Sequence, residues 1–259
     1  MDYQIPEPLS ARMKRGPVIG IINLIPSTLV LEQLCGAPFD FVWMDMEHGP
    51  ASVLHLGTST SICLGRGIIP LVRVPCVADW AVKWVLEQGV RGVVFPFVNS
   101  AEEARFAVSA CKYPPAGHRG YFPDVPAARW GVDPATYVER ANREIAVILQ
   151  IEHRTAVDNI EQIAAVDGAA LLFIGPMDLS GSYGRLTQVG DPQVSAAIDR
   201  TLAVAKAAGR RVGILAATPD AIRRRIDQGF DFIAVAPDVS LLHDAVQQYW
   251  GEIAQAVGR

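Results

Sequence analysis

Short apolar runs alternate with amphipathic stretches along most of the chain. The runs are PVIGIIN (17–23), FVWMDM (41–46), IIPLVRV (68–74), GVVFPFV (92–98), AVILQI (146–151), ALLFIGPM (170–177), RVGILAA (211–217) and Phe232–Ala236. They are continuous rather than alternating, which predicts strands buried on both faces. Between them, helical spacing marks a segment after Pro26 and Ser27 with Leu29, Leu31 and Leu34, ended by Gly36 and Pro38. A weakly marked helix covers Ala51–Leu64, and an Asp79-capped one carries Ala81, Val82, Val85 and Leu86 and closes at Gly89. Further helices are predicted over Ala101–Lys112, Thr155–Ala165, Pro192–Ala208 and Pro219–Gln228, with a last one from Ser240 that carries Leu241, Leu242, Ala245, Val246 and Trp250. Eight strand-and-helix repeats without a linker predict an α/β chain of one domain, residues 1–259, closed as a (β/α)8 TIM barrel. An open doubly wound sheet is the alternative. The stretch Tyr113–Asp133 has little periodicity and reads as a long loop of the binding or lid type.

Composition narrows the function classes. A net charge of −4 over 259 residues, with no basic run beyond Arg223, Arg224 and Arg225, gives no electrostatic footprint for nucleic acid. No apolar stretch reaches membrane-spanning length uninterrupted, and the opening MDYQIPEPLSARMKRG lacks the apolar core of a secretory signal. Cys35, Cys63, Cys76 and Cys111 form no CxxC pair and read as buried or half-buried thiols of a cytosolic protein.

The chemistry concentrates between Ala146 and Tyr183, where strand, helix and strand each time end on an acid, Glu152 and then Asp178. A right-handed crossover returns the second strand parallel to the first, so both carboxylates leave the same edge. Adjacent strands lie about 5 Å apart, close enough for the two acids to share a hard divalent cation, with water and substrate oxygens in the remaining positions. Gln150 projects from the same strand face as Glu152. Asp178 lies in GPMDLSGSYG, where glycine and proline permit a tight turn whose amides face an anion. At other strand ends, Arg73 suits an anionic oxygen or, alternatively, a structural ion pair with Glu47, and His48 suits proton transfer near neutral pH. A cation that polarises a 2-oxo acid would acidify the adjacent carbon, and no lysine nucleophile stands at a strand end.

FVWMDMEHGP, PLVRVP, GVVFPFVNSAEEARFAV, KYPPAGHRG, QIEHRTAVDNI and FIGPMDLSGSYG in succession resemble the metal-dependent, class II pyruvate aldolases of the HpcH/HpaI family, from about Gly16 to the last helix. The resemblance implies reversible aldol cleavage of a 4-hydroxy-2-oxo acid to pyruvate, or a related 2-oxo acid such as hydroxypyruvate, and an aldehyde, through a metal-bound enolate. It implies Glu152 and Asp178 as ligands of Mg2+, Mn2+ or Co2+, Gln150 as a substrate contact, and the backbone at Met177 and Asp178 as the carboxylate site. Arg73 then matches the arginine that stabilises the transition state, His48 the base, and Glu87 the aspartate that pairs with that histidine. It also implies a homo-oligomer, a hexamer, with the C-terminal helix exchanged between subunits. Met46 and Gly49 stand where glycine and alanine are usual, and Met177 where alanine is usual, which reshapes the pocket. Tyr121, Phe122 and Trp130 read either as an aldehyde-side wall or as loop packing, while Arg119 has no assigned role. Competing readings are a decarboxylase or lyase of an oxaloacetate-like acid using the same enolate, and a non-catalytic barrel that binds a 2-oxo acid.

Overall fold

The computed structural model describes residues 5–259 and closes eight parallel strands into one barrel, in chain order. The strands are β1 (Val18–Asn23), β2 (Phe41–Asp45), β3 (Ile69–Arg73), β4 (Gly92–Phe95), β5 (Ala146–Ile151), β6 (Leu171–Ile174), β7 (Val212–Leu215) and β8 (Phe232–Pro237). The helices begin with α1 (Leu9–Arg12), α2 (Thr28–Leu34), α3 (Val53–Gly65), α4 (Asp79–Leu86), α5 (Ala101–Ala110), α6 (Asp124–Trp130) and α7 (Pro134–Glu144). They continue with α8 (Arg154–Asp158), α9 (Ile160–Ala164), α10 (Pro176–Ser182), α11 (Pro192–Ala207), α12 (Pro219–Asp227) and α13 (Asp238–Ala256). Every residue of β2 to β6 is buried, which is why those segments read as unbroken apolar runs. The barrel expectation is met, and the open sheet is excluded by β1 pairing with both β2 and β8.

Alternate strand residues serve two cores. Val42, Met44, Val72, Val147 and Leu172 face the helices, whereas Phe41, Trp43, Leu71, Ile148, Phe173 and Phe232 fill the axis. Phe41 stacks on Phe232 with centroids 4.0 Å apart, and Trp43 meets Phe173 edge-on at 4.8 Å. Each such ring contributes on the order of 2 kcal/mol by leaving water. Gly20 makes room for the stack, since a Cβ there would run into the Phe41 ring and carbonyl. Leu9 and Met13 plug the end at which the strands begin, with Arg12 Nη1 donating to the Asp40 carbonyl at 2.8 Å. At that sealed end Asp231 accepts from Lys206 Nζ at 2.6 Å, Arg211 Nη1 at 2.6 Å and the Val212 amide at 2.9 Å. The open end, where the strands finish, is left for chemistry.

Several local expectations are corrected. Tyr113–Asp133 is not one loop, because it contains α6, and α7 follows directly. Trp130 is packing, fully buried with its indole N–H on the Gly89 carbonyl at 2.7 Å. The helix over Thr155–Ala165 breaks at Asn159, whose side-chain amide donates to the Asn99 carbonyl at 2.8 Å. Asp79 is the first helical residue of α4 rather than its cap, which is Ala78. Cys76 is exposed, unlike Cys35, Cys63 and Cys111. Among the described residues no helix is long and apolar enough to cross a membrane.

Candidate active site

The open end is organised by an acid that the sequence reading passed over. Asp45 ends β2 in register with Arg73 at the end of β3, so parallel pairing alone sets the two side by side. Asp45 Oδ1 accepts from Arg73 Nε at 3.0 Å and Oδ2 from Nη2, a two-pronged clasp that fits the planar guanidinium. The same Oδ1 accepts from the amides of Glu47 at 2.9 Å and His48 at 3.3 Å, which fixes the turn after β2. Arg73 Nη1 then lies 2.8 Å from Glu47 Oε2 and donates to Gln150 Oε1 at 3.4 Å. The ion pair anticipated between Arg73 and Glu47 therefore exists, within a larger cluster.

On the opposite wall, Gln150 and Glu152 leave β5 on one face, as alternation requires, and Gln150 Nε2 donates to Glu152 Oε2 at 2.6 Å. Glu152 Oε1 accepts from the Phe97 amide at 2.8 Å. Phe97 adopts φ of 49°, a left-handed conformation that costs a non-glycine residue energy and here turns its N–H toward the carboxylate. Gly175 lets the β6 end approach, for a Cβ there would collide with Glu152 Oε2 and lie 2.9 Å from its Cβ. Burial drives the Glu152 carboxyl up to about 8; the Phe97 amide opposes this, while nearby Glu47 and Asp178 reinforce it. Burial also raises Glu47, against the pull of Arg73.

A cavity of about 150 Å³ gathers His48, Arg73, Gln150, Glu152, Met177 and Asp178 over an apolar floor of Trp43 and Phe173. Six of the seven residues expected at the site are thus brought together. Glu87 is not among them: it ends α4, lines a neighbouring groove of about 610 Å³ with Met46, Trp80 and Trp84, and lies 3.6 Å from Arg119 Nη2. Tyr121 and Phe122 are exposed and line neither space. His118 bonds Asp79 and Ser109, and His153 caps α8. The reading missed Asp45, the Phe97 amide and Gly175. For Asp45 a signal was present, a charge inside an otherwise apolar strand.

The donor set fits a hard divalent cation. Asp45, Glu47 and Glu152 act on the one Arg73 guanidinium, Asp178 lines the same cavity, and Glu152 just past β5 and Asp178 on α10 are oxygen donors at its open side. Among the described residues no three His, Cys, Asp or Glu side chains form a ready protein cage, so water and substrate oxygens would complete the shell.

A sequence model of the HpcH/HpaI aldolase/citrate lyase family matches residues 25–245. The chain is 39% identical over 224 residues to a 2-dehydro-3,6-dideoxy-6-sulfogluconate aldolase of Pseudomonas putida, covering 86% of this chain and 88% of that protein. It is 36% identical over 217 residues to a hydroxypyruvate/pyruvate aldolase of Roseovarius nubinhibens, covering 84% of each. Among solved structures, an HpcH/HpaI aldolase/citrate lyase family protein from Burkholderia cenocepacia J2315 superposes with a TM-score of 0.89 at 35% identity, over 95% of this chain and 98% of that one. The chain therefore belongs to the HpcH/HpaI aldolase/citrate lyase family and is an aldolase-type carbon–carbon lyase.

Proposed function

We propose that the pocket takes pyruvate or a close 2-oxo acid such as hydroxypyruvate and joins it reversibly to an aldehyde, giving a 4-hydroxy-2-oxo acid. The observation that carries this reading is the excess of carboxylates over cations around the cavity, expressed in the Glu152 carboxyl held near 8. Such a site calls for added positive charge, and Glu152 and Asp178 would hold Mg2+, Mn2+ or Co2+. When bound, that ion supplies Lewis-acid polarisation of the substrate keto oxygen.

The remaining steps belong to the chain. First-turn amides of α10, at Met177 and Asp178, lack helical partners and receive the substrate carboxylate. Gln150 orients Glu152 through its amide and presents its own oxygen to Arg73. Arg73, clasped by Asp45, cannot swing away and offers Nη1 to charge developing on the keto oxygen. His48, about half exposed at the cavity rim, exchanges a proton with the hydroxyl of the aldehyde-derived carbon. Glu87, the candidate partner of His48, faces Arg119 in this structure.

A homo-oligomer is part of the same reading. Leu241, Leu242, Val246, Tyr249 and Trp250 on α13 are all exposed, an apolar surface suited to a second copy. The test of function is chelation. Protein stripped with EDTA should lose about a hundredfold or more of its retro-aldol rate, measured as pyruvate release, and recover it with Mg2+, Mn2+ or Co2+. Full activity after stripping would defeat the proposal. Oxaloacetate decarboxylation also releases pyruvate, so carbon bond formation that depends on added aldehyde separates the aldolase from a decarboxylase.

A further inference from the structure

We infer that Cys35 and Cys63 form an oxidative modification site, two thiols placed to close into an intramolecular disulfide when the protein meets hydrogen peroxide. The inference is independent of the substrate assignment. Among the described residues these are the two thiols in contact, with their Sγ atoms 3.9 Å apart. Cys35 caps the C-terminus of α2, its N–H on the Leu31 carbonyl at 2.9 Å. Cys63 lies in the last turn of α3, and its carbonyl accepts from the Ile68 amide at 3.0 Å. Parallel pairing of β1 with β2 and of β2 with β3 sets α2 against α3, so barrel closure and not local sequence brings the sulfurs together.

A disulfide needs about 2.05 Å between its sulfurs, so the gap must shrink by roughly 2 Å. α2 can yield that much, being a seven-residue helix anchored through buried Leu31 and followed by exposed Gly36. The two sulfurs are not equivalent. Cys35 is 6% exposed and Cys63 fully buried, so a small oxidant reaches Cys35 first. The contact with Cys63 lowers the Cys35 thiol below its ordinary range, against burial and with help from Arg66. The same contact, reinforced by burial, raises Cys63. Cys35 is therefore the attacking thiolate.

Cys35 attacks one peroxide oxygen: the S–O bond forms, the O–O bond breaks, and the departing hydroxide takes up a proton to become water. The Cys63 sulfur then attacks the Cys35 sulfur. The S–S bond forms, the S–O bond breaks, and hydroxide leaves with the Cys63 proton as a second water. Two electrons pass from the sulfurs to peroxide, and the neighbouring thiol intercepts the sulfenic acid before more peroxide carries it to sulfinic acid. The closed segment, 35–63, contains all of β2 and the turn that holds Glu47 and His48. Cys35 precedes β2 and Cys63 precedes β3, so the bridge lies at the sealed end and fastens two helices there.

The experiment exposes reduced full-length protein to graded hydrogen peroxide, then denatures it, alkylates the remaining thiols and maps the peptides by mass spectrometry. The expected product is a peptide pair joining Cys35 to Cys63 that dithiothreitol separates, with Cys111 still alkylated. Oxidised protein should melt about 5 °C above reduced protein, because the bridge restrains the unfolded chain. Cys35→Ser and Cys63→Ser should each abolish the bridge and the gain in Tm, whereas Cys111→Ser should keep both. Wild-type protein in which exposed Cys76 is oxidised while Cys35 and Cys63 both remain alkylatable overturns the assignment. Cys35 sulfinic acid without a bridge overturns it too, as does a bridge that lowers Tm and so forms only by distorting the fold. Mapping the wild type needs no variant, so a serine variant that fails to fold still leaves the question decided.

Discussion

Two buried acids at opposite ends of the barrel live in opposite surroundings. At the sealed end Asp231 is also pushed upward by burial, yet bonds from Lys206, the Val212 amide and Arg211 outweigh it and hold the carboxyl below its usual range. At the open end Glu152 has two neutral donors, Phe97 N–H and the Gln150 amide, while Glu47 and Asp178 crowd it with negative charge. One cluster is electrically complete as the chain supplies it. The other is complete only when a proton or a cation arrives, and that deficiency separates a binding site from a structural brace.

The largest test of this contrast is Glu152→Gln. It preserves shape and the Phe97 contact while removing the charge, and the retro-aldol rate should fall by roughly a thousandfold. Metal-free stability should behave otherwise. Folded Glu152 keeps its proton up to about 8, whereas the unfolded chain releases it near the ordinary 4.5, so between those values the folded state binds more protons. Stability of the stripped wild type should therefore decline as pH rises from about 5 to 8, and the variant should lose that slope in thermal melts. Asp231 works in the other direction: its contribution is present above the ordinary 3.8 and disappears only as pH falls through its lower folded value. A variant retaining a tenth of the activity, or an unchanged pH slope, would erase the distinction between the two ends.

Legibility in the sequence follows the same division. The strands were readable because closure buries both faces, so AVILQI and FVWMDM carry no alternation to confuse them. Glu152, Asp178, Arg73 and His48 were readable because charges at strand ends stand out against those runs. Asp45 carried the same signal but was passed over because the apolar run FVWMDM continues to Met46, one residue past the end of β2. The α7 segment was missed because only Tyr137 and Ala141 are buried on a polar helix, although Asp133 capping Thr136 N–H at 3.0 Å before Pro134 marks its start. No local pattern foretells that Glu87 meets Arg119, or that Phe97 takes a left-handed backbone to reach Glu152, since both depend on segments brought together by closure.

A middle-sized effect is expected at the sealed end. Asp231→Asn leaves Lys206 and Arg211 without their shared counter-charge, and both are partly exposed, so water limits the damage. A loss of about 1–2 kcal/mol, or roughly 3–6 °C in Tm, should appear with kcat within about twofold of wild type. A large fall in kcat at unchanged Tm would show that the two ends are coupled rather than independent.

The smallest effect should come from Met177, which lines the cavity from the first turn of α10 and is 52% exposed. Its thioether has few packing partners to lose, so Met177→Ala should leave Tm unchanged. Its reach over the rim makes it a wall for the incoming aldehyde and not a support for the charge cluster. Shortening it should therefore change KM by about threefold to fivefold, downward for branched aldehydes and upward for small ones, with kcat nearly constant. An equal fall in kcat for every aldehyde would mean instead that the substitution had shifted the neighbouring Asp178, placing Met177 with the acids of the open end rather than with its rim.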